Sequence, residues 1–428
     1  MPKILKIRDL TLRDGQQSLV GARMRKEIIL PLLPLYRDAA FHIVEVWGSD
    51  VLATALKYLG EAPWERLKNC ADELEGISIL SALTQGVKPF GEMVAPNYIL
   101  QALYKNAFKN GLNMMRLYDN DNNIERLREP VALINDLGGM ADVAICFIPQ
   151  RNEKAYEKHK KKGFFAMLFG SEEENPGDSE QYTDDYYVEK AKEAESLGAE
   201  MITLKDPYGL ATPSRIYSLM PKLKQAVRIP VDYHTHCTHG YGLASTLMAI
   251  IKGVDVVDTN IWWFSGGSAA PPIELIHIFC HKLEIEVGAN MEAVREIRKR
   301  LRSARLSLSE FDRYSDRLPN DFDEFYLDIP EVVDGLFDQA IQAASDNDEE
   351  ALLGYCHALE KYFGFPVCDD YEEESDDVEK KETEKSVFSE KDEERLLLEL
   401  LPDIADLYLD NLHNAENEKK DAPDLPES

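Results

Sequence analysis

The sequence predicts an α/β protein: a (β/α)8 TIM barrel over residues 1–290, then a helical C-terminal region and an acidic tail. Three observations carry this reading. Short β-branched apolar runs alternate with amphipathic segments, the runs number eight, and the residues with metal or acid–base chemistry fall at the ends of runs. Strand–helix alternation argues for a parallel sheet. An open doubly wound sheet satisfies it too, but eight units in about 280 residues favour closure.

In chain order the runs are Ile4–Leu12, Ile43–Trp47, Ile77–Leu83, Met114–Tyr118, Val143–Phe147, Met201–Leu204, Val231–His234 and Val256–Ile261. The intervening helical segments are Lys26–Ala39, Pro63–Leu74, Tyr98–Asn110, Ile124–Leu137, Asp184–Leu197, Pro213–Ala226 and Leu243–Lys252. One connection is long. Gln150–Gln181, rich in Lys, Glu, Gly and Asp, reads as an inserted loop at the C-terminal end of the fifth strand, where barrels build lids. Beyond the barrel, Met291–Leu308 is strongly basic, and Val332–Ala344 and Glu349–Phe363 have helical apolar spacing. We place this helical region at 291–368. Residues 369–394 form a charge-rich linker with the composition of disorder. Residues 395–428 carry an amphipathic helix interrupted by Pro402, then a polar tail.

The chain has 428 residues and a net charge of −30. Such acidity disfavours nonspecific binding to nucleic acid or anionic membranes. Six scattered cysteines without a CxxC pair read as reduced thiols. The N-terminus shows no apolar signal core, and no run of about 18 apolar residues occurs, so a cytoplasmic location is expected.

At the strand ends, Asp14 follows the first run, Lys205 and Asp206 end the sixth, and His234 and His236 end the seventh. A barrel brings all strand C-termini to one rim, so residues about 190 to 220 positions apart would converge. In extended chain, residues two apart point the same way, so both imidazoles can reach one ion. Two histidines with a distant carboxylate suit Zn, Mn or Co. On its own, His-x-His is as compatible with two structural histidines. Lys205 is awkward, because an ammonium beside a divalent cation is repelled. It either pairs with a carboxylate such as Asp206 or is carbamylated by CO2 into an anionic ligand; the residues alone leave both open.

Several motifs follow one order: Thr11–Ser18, Ala22-Arg23-Met24-Arg25, Glu45-Val46-Trp47-Gly48, Pro63-Trp64-Glu65-Arg66-Leu67, Lys205–Pro213, His234-Thr235-His236 and Ser265-Gly266-Gly267-Ser268. Over roughly residues 1–285 this order resembles the carboxyltransferase domains of biotin-dependent enzymes, namely pyruvate carboxylase, the oxaloacetate decarboxylase alpha subunit and the transcarboxylase 5S subunit. The resemblance implies a barrel that moves CO2 between carboxybiotin, borne on a separate carrier protein, and a keto acid. It implies metal ligands at Asp14, carbamylated Lys205, His234 and His236. It implies a proton-shuttling hydroxyl at Ser268, where the family has threonine, and a catalytic glutamine at Gln17. Cys146, at the end of the fifth strand, matches a cysteine in some members, although a buried small apolar role suits it too. Asp119, ending the fourth strand, is expected at the rim as an orienter of the site.

Departures from the family concentrate on the acceptor side. The arginine that grips the keto-acid carboxylate is replaced by Gln85, a tyrosine by Glu92, and an aspartate by Ala53. Glutamine lacks the charge and fork of arginine, so pyruvate is not the expected acceptor; Lys88 is a replacement cation for another keto-acid or acyl substrate. The implied partners are a biotin carboxyl carrier protein and a biotin carboxylase subunit, with a homodimer inside a larger complex; the terminal helix Leu396–Leu412 either folds back on its own subunit or contacts one of these partners. Rival readings are an aldol- or Claisen-type lyase or synthase on the same barrel, against which Lys205 speaks, and a non-catalytic scaffold.

Overall fold

The computed structural model describes residues 4–89, 94–149, 182–321 and 329–367. The inserted loop at 150–181, Glu92, and the linker and terminal helix expected beyond residue 368 lie outside the described residues.

Eight parallel strands close on themselves. They are β1 (Ile4–Asp9), β2 (Ile43–Gly48), β3 (Ile79–Thr84), β4 (Met114–Tyr118), β5 (Met140–Cys146), β6 (Met201–Asp206), β7 (Val231–Thr235) and β8 (Val256–Thr259). Each pairs with the next, and β1 pairs with both β8 and β2, which excludes the open sheet. A ninth strand, β9 (Glu286–Gly288), lies parallel along the start of β1. Short runs of Val, Ile, Leu and Met buried on both faces give such strands.

Two boundaries differ from expectation. The first strand stops at Asp9, and Thr11–Gly15 turns into a helical coil with Asp14 on it. The expected helix Lys26–Ala39 is cut into Lys26–Ile29, a 3-10 turn at Leu30–Leu32, and Leu33–Ala39. Pro31 and Pro34 cause this, since each removes a helical N–H donor. Other helices begin where the chain supplies a cap. Thr183 and Thr212 accept from the N–H groups of Tyr186 and Arg215, both at 3.3 Å, to start Asp184–Ser196 and Pro213–Ala226.

Alternation sorts the barrel interior into three layers. Ile43, Met114, Met201 and Val256 form an apolar floor. Two residues further along these strands stand Glu45, Arg116, Thr203 and Asp258, joined by Arg8, Asp142 and Asp232; all are fully buried or within 1 % of it. Another two residues on, at the rim, come Lys205 and His234.

After β9 the chain is helical at Met291–Ser307, Glu331–Asp346 and Glu349–Tyr362. These helices share one contiguous apolar core with the barrel through residues such as Ile297, Phe337, Leu359 and Phe365. Phe365 lies 4.7 Å from Trp262, centroid to centroid, and Phe279 4.9 Å from Phe337. Of the residues expected to make Met291–Leu308 a basic face, Arg298 and Arg305 are instead buried, and Arg305 is paired with Asp312.

Helix Glu349–Tyr362 buries Glu360 beside Cys237, one residue past His236. Burial pushes the Glu360 carboxyl up to about 8, against the lowering effect of its hydrogen bond with Cys237. The folded chain therefore holds a proton that the unfolded chain releases above its ordinary value of 4.5. Stability from this group is complete below that value and is lost as pH rises through about 8. At roughly 1.4 kcal/mol per pH unit, the loss is on the order of a few kcal/mol. Glu360→Gln keeps the shape without the titration. Urea unfolding of the two chains between about pH 5 and 9 is expected to give a flatter stability curve for the variant; parallel curves would contradict the assignment.

Candidate metal centre

Asp14, His234 and His236 bring one ligand atom each within 4.8 Å of one another, and all three are buried. Asp14 comes from the coil after β1, His234 from β7 and His236 from just beyond it. Asp14 Oδ2 and His236 Nε2 stand 3.1 Å apart. Neither is in hydrogen-bond geometry with a partner among the described residues, although both are buried. Two inward-facing lone-pair atoms left without donors suit a cation held between them.

The opposite sides of the ligands are anchored. Asp14 Oδ1 accepts from Arg13 Nη1 at 2.9 Å, and Arg13 Nε donates to Glu45 at 2.5 Å. His234 Nδ1 lies 2.7 Å from Asp258 Oδ2. Asp258 accepts from Arg116 through both oxygens, at 2.6 and 3.2 Å. Arg116 also binds Asp232 at 2.6 Å and Asp142 at 3.0 Å, and Arg8 binds Asp142 at 2.7 Å. Three arginines thus face five carboxylates, a formal surplus of negative charge beneath the rim.

The protonation states follow. Burial opposes charge on Asp14, but His236 and Arg13 outweigh it and hold the carboxyl well below its ordinary range. Burial likewise opposes ionisation of Asp258, yet Arg116 and the His234 hydrogen bond keep it low. Asp232 is pushed well above its range, by burial and by Asp258. Burial lowers His234 to about 3, so the imidazole is neutral.

Lys205 lies beside His234 in register on one side and Cys146 on the other. It makes no ion pair with a described residue; its Nζ sits 4.7 Å from the centre of the Tyr118 ring. Burial lowers its pKa. The pairing with Asp206 considered from sequence does not occur. Successive residues of a strand face opposite ways, and Asp206 accepts instead from Leu210, Ala211 and Thr235.

Ser268 Oγ donates to Ser18 O at 2.9 Å, so the loop after β8 is clasped to the helix Gln16–Val20, which carries Gln17. In that loop Gly266 and Gly267 adopt positive φ, and added β-carbons would strike Phe365 and Tyr314 of the C-terminal region. Cys146 is half-buried, its backbone bonded both ways to the Asn122 side chain, and burial pushes its thiol up. Asp119, expected as an orienter of the site, is held within its own turn. Its carboxylate accepts from the N–H groups of Asp121 and Asn123, both at 3.0 Å, and faces Arg126 at 3.3 Å, so it shapes its own turn. Gln85 and Lys88 are half-buried on the loop after β3.

The buried charged residues Arg8, Arg13, Glu45, Arg116, Asp142, Asp232 and Asp258 were not anticipated from sequence. A signal for them exists: charged residues two positions after Met or Val in otherwise apolar strands, as in Met114-Met115-Arg116 and Val256-Val257-Asp258.

An HMGL-like family profile matches residues 150–301. The B subunit of pyruvate carboxylase from Methanocaldococcus jannaschii is 30% identical over 295 residues, which is 69% of this chain and 47% of that protein. The 2-oxoglutarate carboxylase large subunit of Hydrogenobacter thermophilus is 27% identical over 312 residues, or 72% and 43%. The chain therefore spans about half the length of these relatives. Among solved structures, the carboxyl transferase domain of Rhizobium etli pyruvate carboxylase with pyruvate superposes with a TM-score of 0.65 at 25% identity, covering 94% of this chain and 62% of that one. Over more than two thirds of its length the chain is thus similar in sequence to subunits of these carboxylases, and in fold to a carboxyl transferase domain.

Proposed function

We propose that this chain is the carboxyltransferase subunit of a biotin-dependent carboxylase or decarboxylase, moving CO2 between carboxybiotin and a keto acid or related acceptor. The observation that carries the proposal is the meeting of Asp14, His234 and His236 at one buried point, beside a lysine that makes no ion pair with a described residue.

A divalent ion, Zn, Mn or Co, would be held by Asp14, His234 and His236, with Lys205 as fourth ligand in its carbamate form. When bound, it supplies Lewis-acid polarisation of a carbonyl and stabilises enolate charge. Burial lowers the Lys205 ammonium, which raises its neutral share. The neutral amine attacks CO2, an N–C bond forms, and the nitrogen's proton leaves to water. The cation that would repel a metal becomes an anion that binds one. Ser268, its hydroxyl now given to the Ser18 carbonyl, carries the proton between biotin and acceptor, and Gln17 orients the reacting group from the adjoining helix. Cys146, Gln85 and Lys88 contribute to the acceptor side, with Glu92 of the same loop.

The two relatives named above act, by their names, on pyruvate and on 2-oxoglutarate, so a 2-keto acid is the acceptor class. Gln85 disfavours pyruvate. A biotin carboxyl carrier protein and a biotin carboxylase complete the cycle, with this chain as a homodimer within the larger complex. Among the described residues, no helix is long and apolar enough to cross a membrane.

Two outcomes test this. Excess Co2+ or Zn2+ at about 100 times its Kd is expected to stabilise the metal-free chain by about 2.7 kcal/mol, and His236→Ala is expected to abolish the effect; an equal thermal shift in both would remove the metal centre. Carboxyl exchange, with free biotin and a panel of 2-keto acids and acyl donors, is expected to show turnover that Lys205→Ala lowers roughly 10²-fold or more. Intact-protein mass should show one CO2 added to the wild type only. Undiminished turnover in the variant would remove Lys205 from the centre, and no exchange with any acceptor would favour a lyase or synthase.

A further inference from the structure

The metal centre rests on two struts rising from the charged layer of the barrel, one under each of two ligands. Among the described residues, the one rim side chain hydrogen-bonded to Asp258 is His234. Its oxygens are held by Arg116, and the same Oδ2 that accepts from Arg116 at 2.6 Å meets His234 Nδ1 at 2.7 Å. With that oxygen already clamped as an acceptor by Arg116, Nδ1 is the donor of the contact, and Nε2 is left to face the centre. On the other side, Arg13 bridges Glu45 and Asp14 and turns Asp14 Oδ2 toward His236. The struts share a base: Glu45 Oε2 lies 3.8 Å from Arg116 Nη1 and 3.9 Å from Arg8 Nη1.

We propose that Asp258, clamped by Arg116, is a positioning residue of the metal centre, fixing the His234 tautomer and ring plane as Arg13 fixes Asp14. This rests on the metal reading above and adds the residues that set affinity. A carboxylate behind a ligating imidazole raises its basicity and removes its rotational freedom, and such partners are worth about 10–100-fold in metal affinity. Asp142 is the internal control. It is equally buried and bonded to the same two arginines, but touches no ligand.

The test uses the full chain stripped of metal. Co2+ affinity is read by d–d absorption against a competing chelator, for wild type, Asp258→Asn and Asp142→Asn, with circular dichroism confirming the fold. The expected result is a roughly 10–100-fold weaker affinity for Asp258→Asn and a change of no more than about threefold for Asp142→Asn. Equal losses in both, or no loss in Asp258→Asn, would overturn the proposal. A wild type without Co2+ affinity would sink the metal reading itself. Should Asp258→Asn fail to fold, 15N-histidine spectra of the metal-free wild type decide. A His234 signal, assigned by its loss in His234→Gln, with the proton on Nδ1 is expected; a proton on Nε2 overturns it.

Discussion

Charges buried inside a closed cylinder must find one another, and the rest of this structure follows from that. Moving a carboxylate or guanidinium out of water costs several kcal/mol even after relaxation. Arg8 and Arg116 can occupy the barrel axis only because Glu45, Asp142, Asp232 and Asp258 arrive there from four other strands. The layer is therefore self-specifying: loss of one member leaves an uncompensated charge. It is also in formal negative excess, which is the condition a cation above it requires. An apolar floor beneath seals the layer from solvent.

The rim is assembled from both ends of the barrel sequence. The coil after β1 supplies Asp14, and the turn after β8 supplies Ser268. The hydrogen bond from Ser268 to Ser18 ties these two segments across 250 positions. The C-terminal helices belong to this assembly, because Phe365 and Tyr314 occupy the spaces that side chains at Gly266 and Gly267 would need. A glycine pair with positive φ is thus both a local turn and a docking surface. The helices after the barrel brace the rim rather than merely following it.

Lys205 is the point where electrostatics and proposed chemistry meet. The charged layer favours a cation above it, but a lysine ammonium and a metal ion cannot share that place. The proposed carbamylation would resolve the conflict by changing the sign of the side chain. The proposed acceptor side draws on another element, since Gln85 and Lys88 sit on the loop after β3. Substrate preference can drift there while the ligand set stays intact.

The alternation of eight apolar runs and the placement of Asp14, Lys205, His234 and His236 at run ends were legible because periodicity and strand polarity are local properties. So were the motifs of the β1 coil and of Ser265–Ser268. The early end of β1 and the broken helix at Pro31 and Pro34 were written in proline and turn chemistry but obscured by apolar content. The partners of Asp119 were not legible, because a carboxylate at a strand end gives no sign of the turn N–H groups it accepts from. Nor were Asp258 and Arg13, whose meaning lies in partners far away in sequence. By itself the sequence determined which residues are inward and which elements carry them, since side-chain direction follows from backbone geometry. Only the tertiary structure decided which inward charges meet, because closure of the barrel sets distances that no local spacing contains.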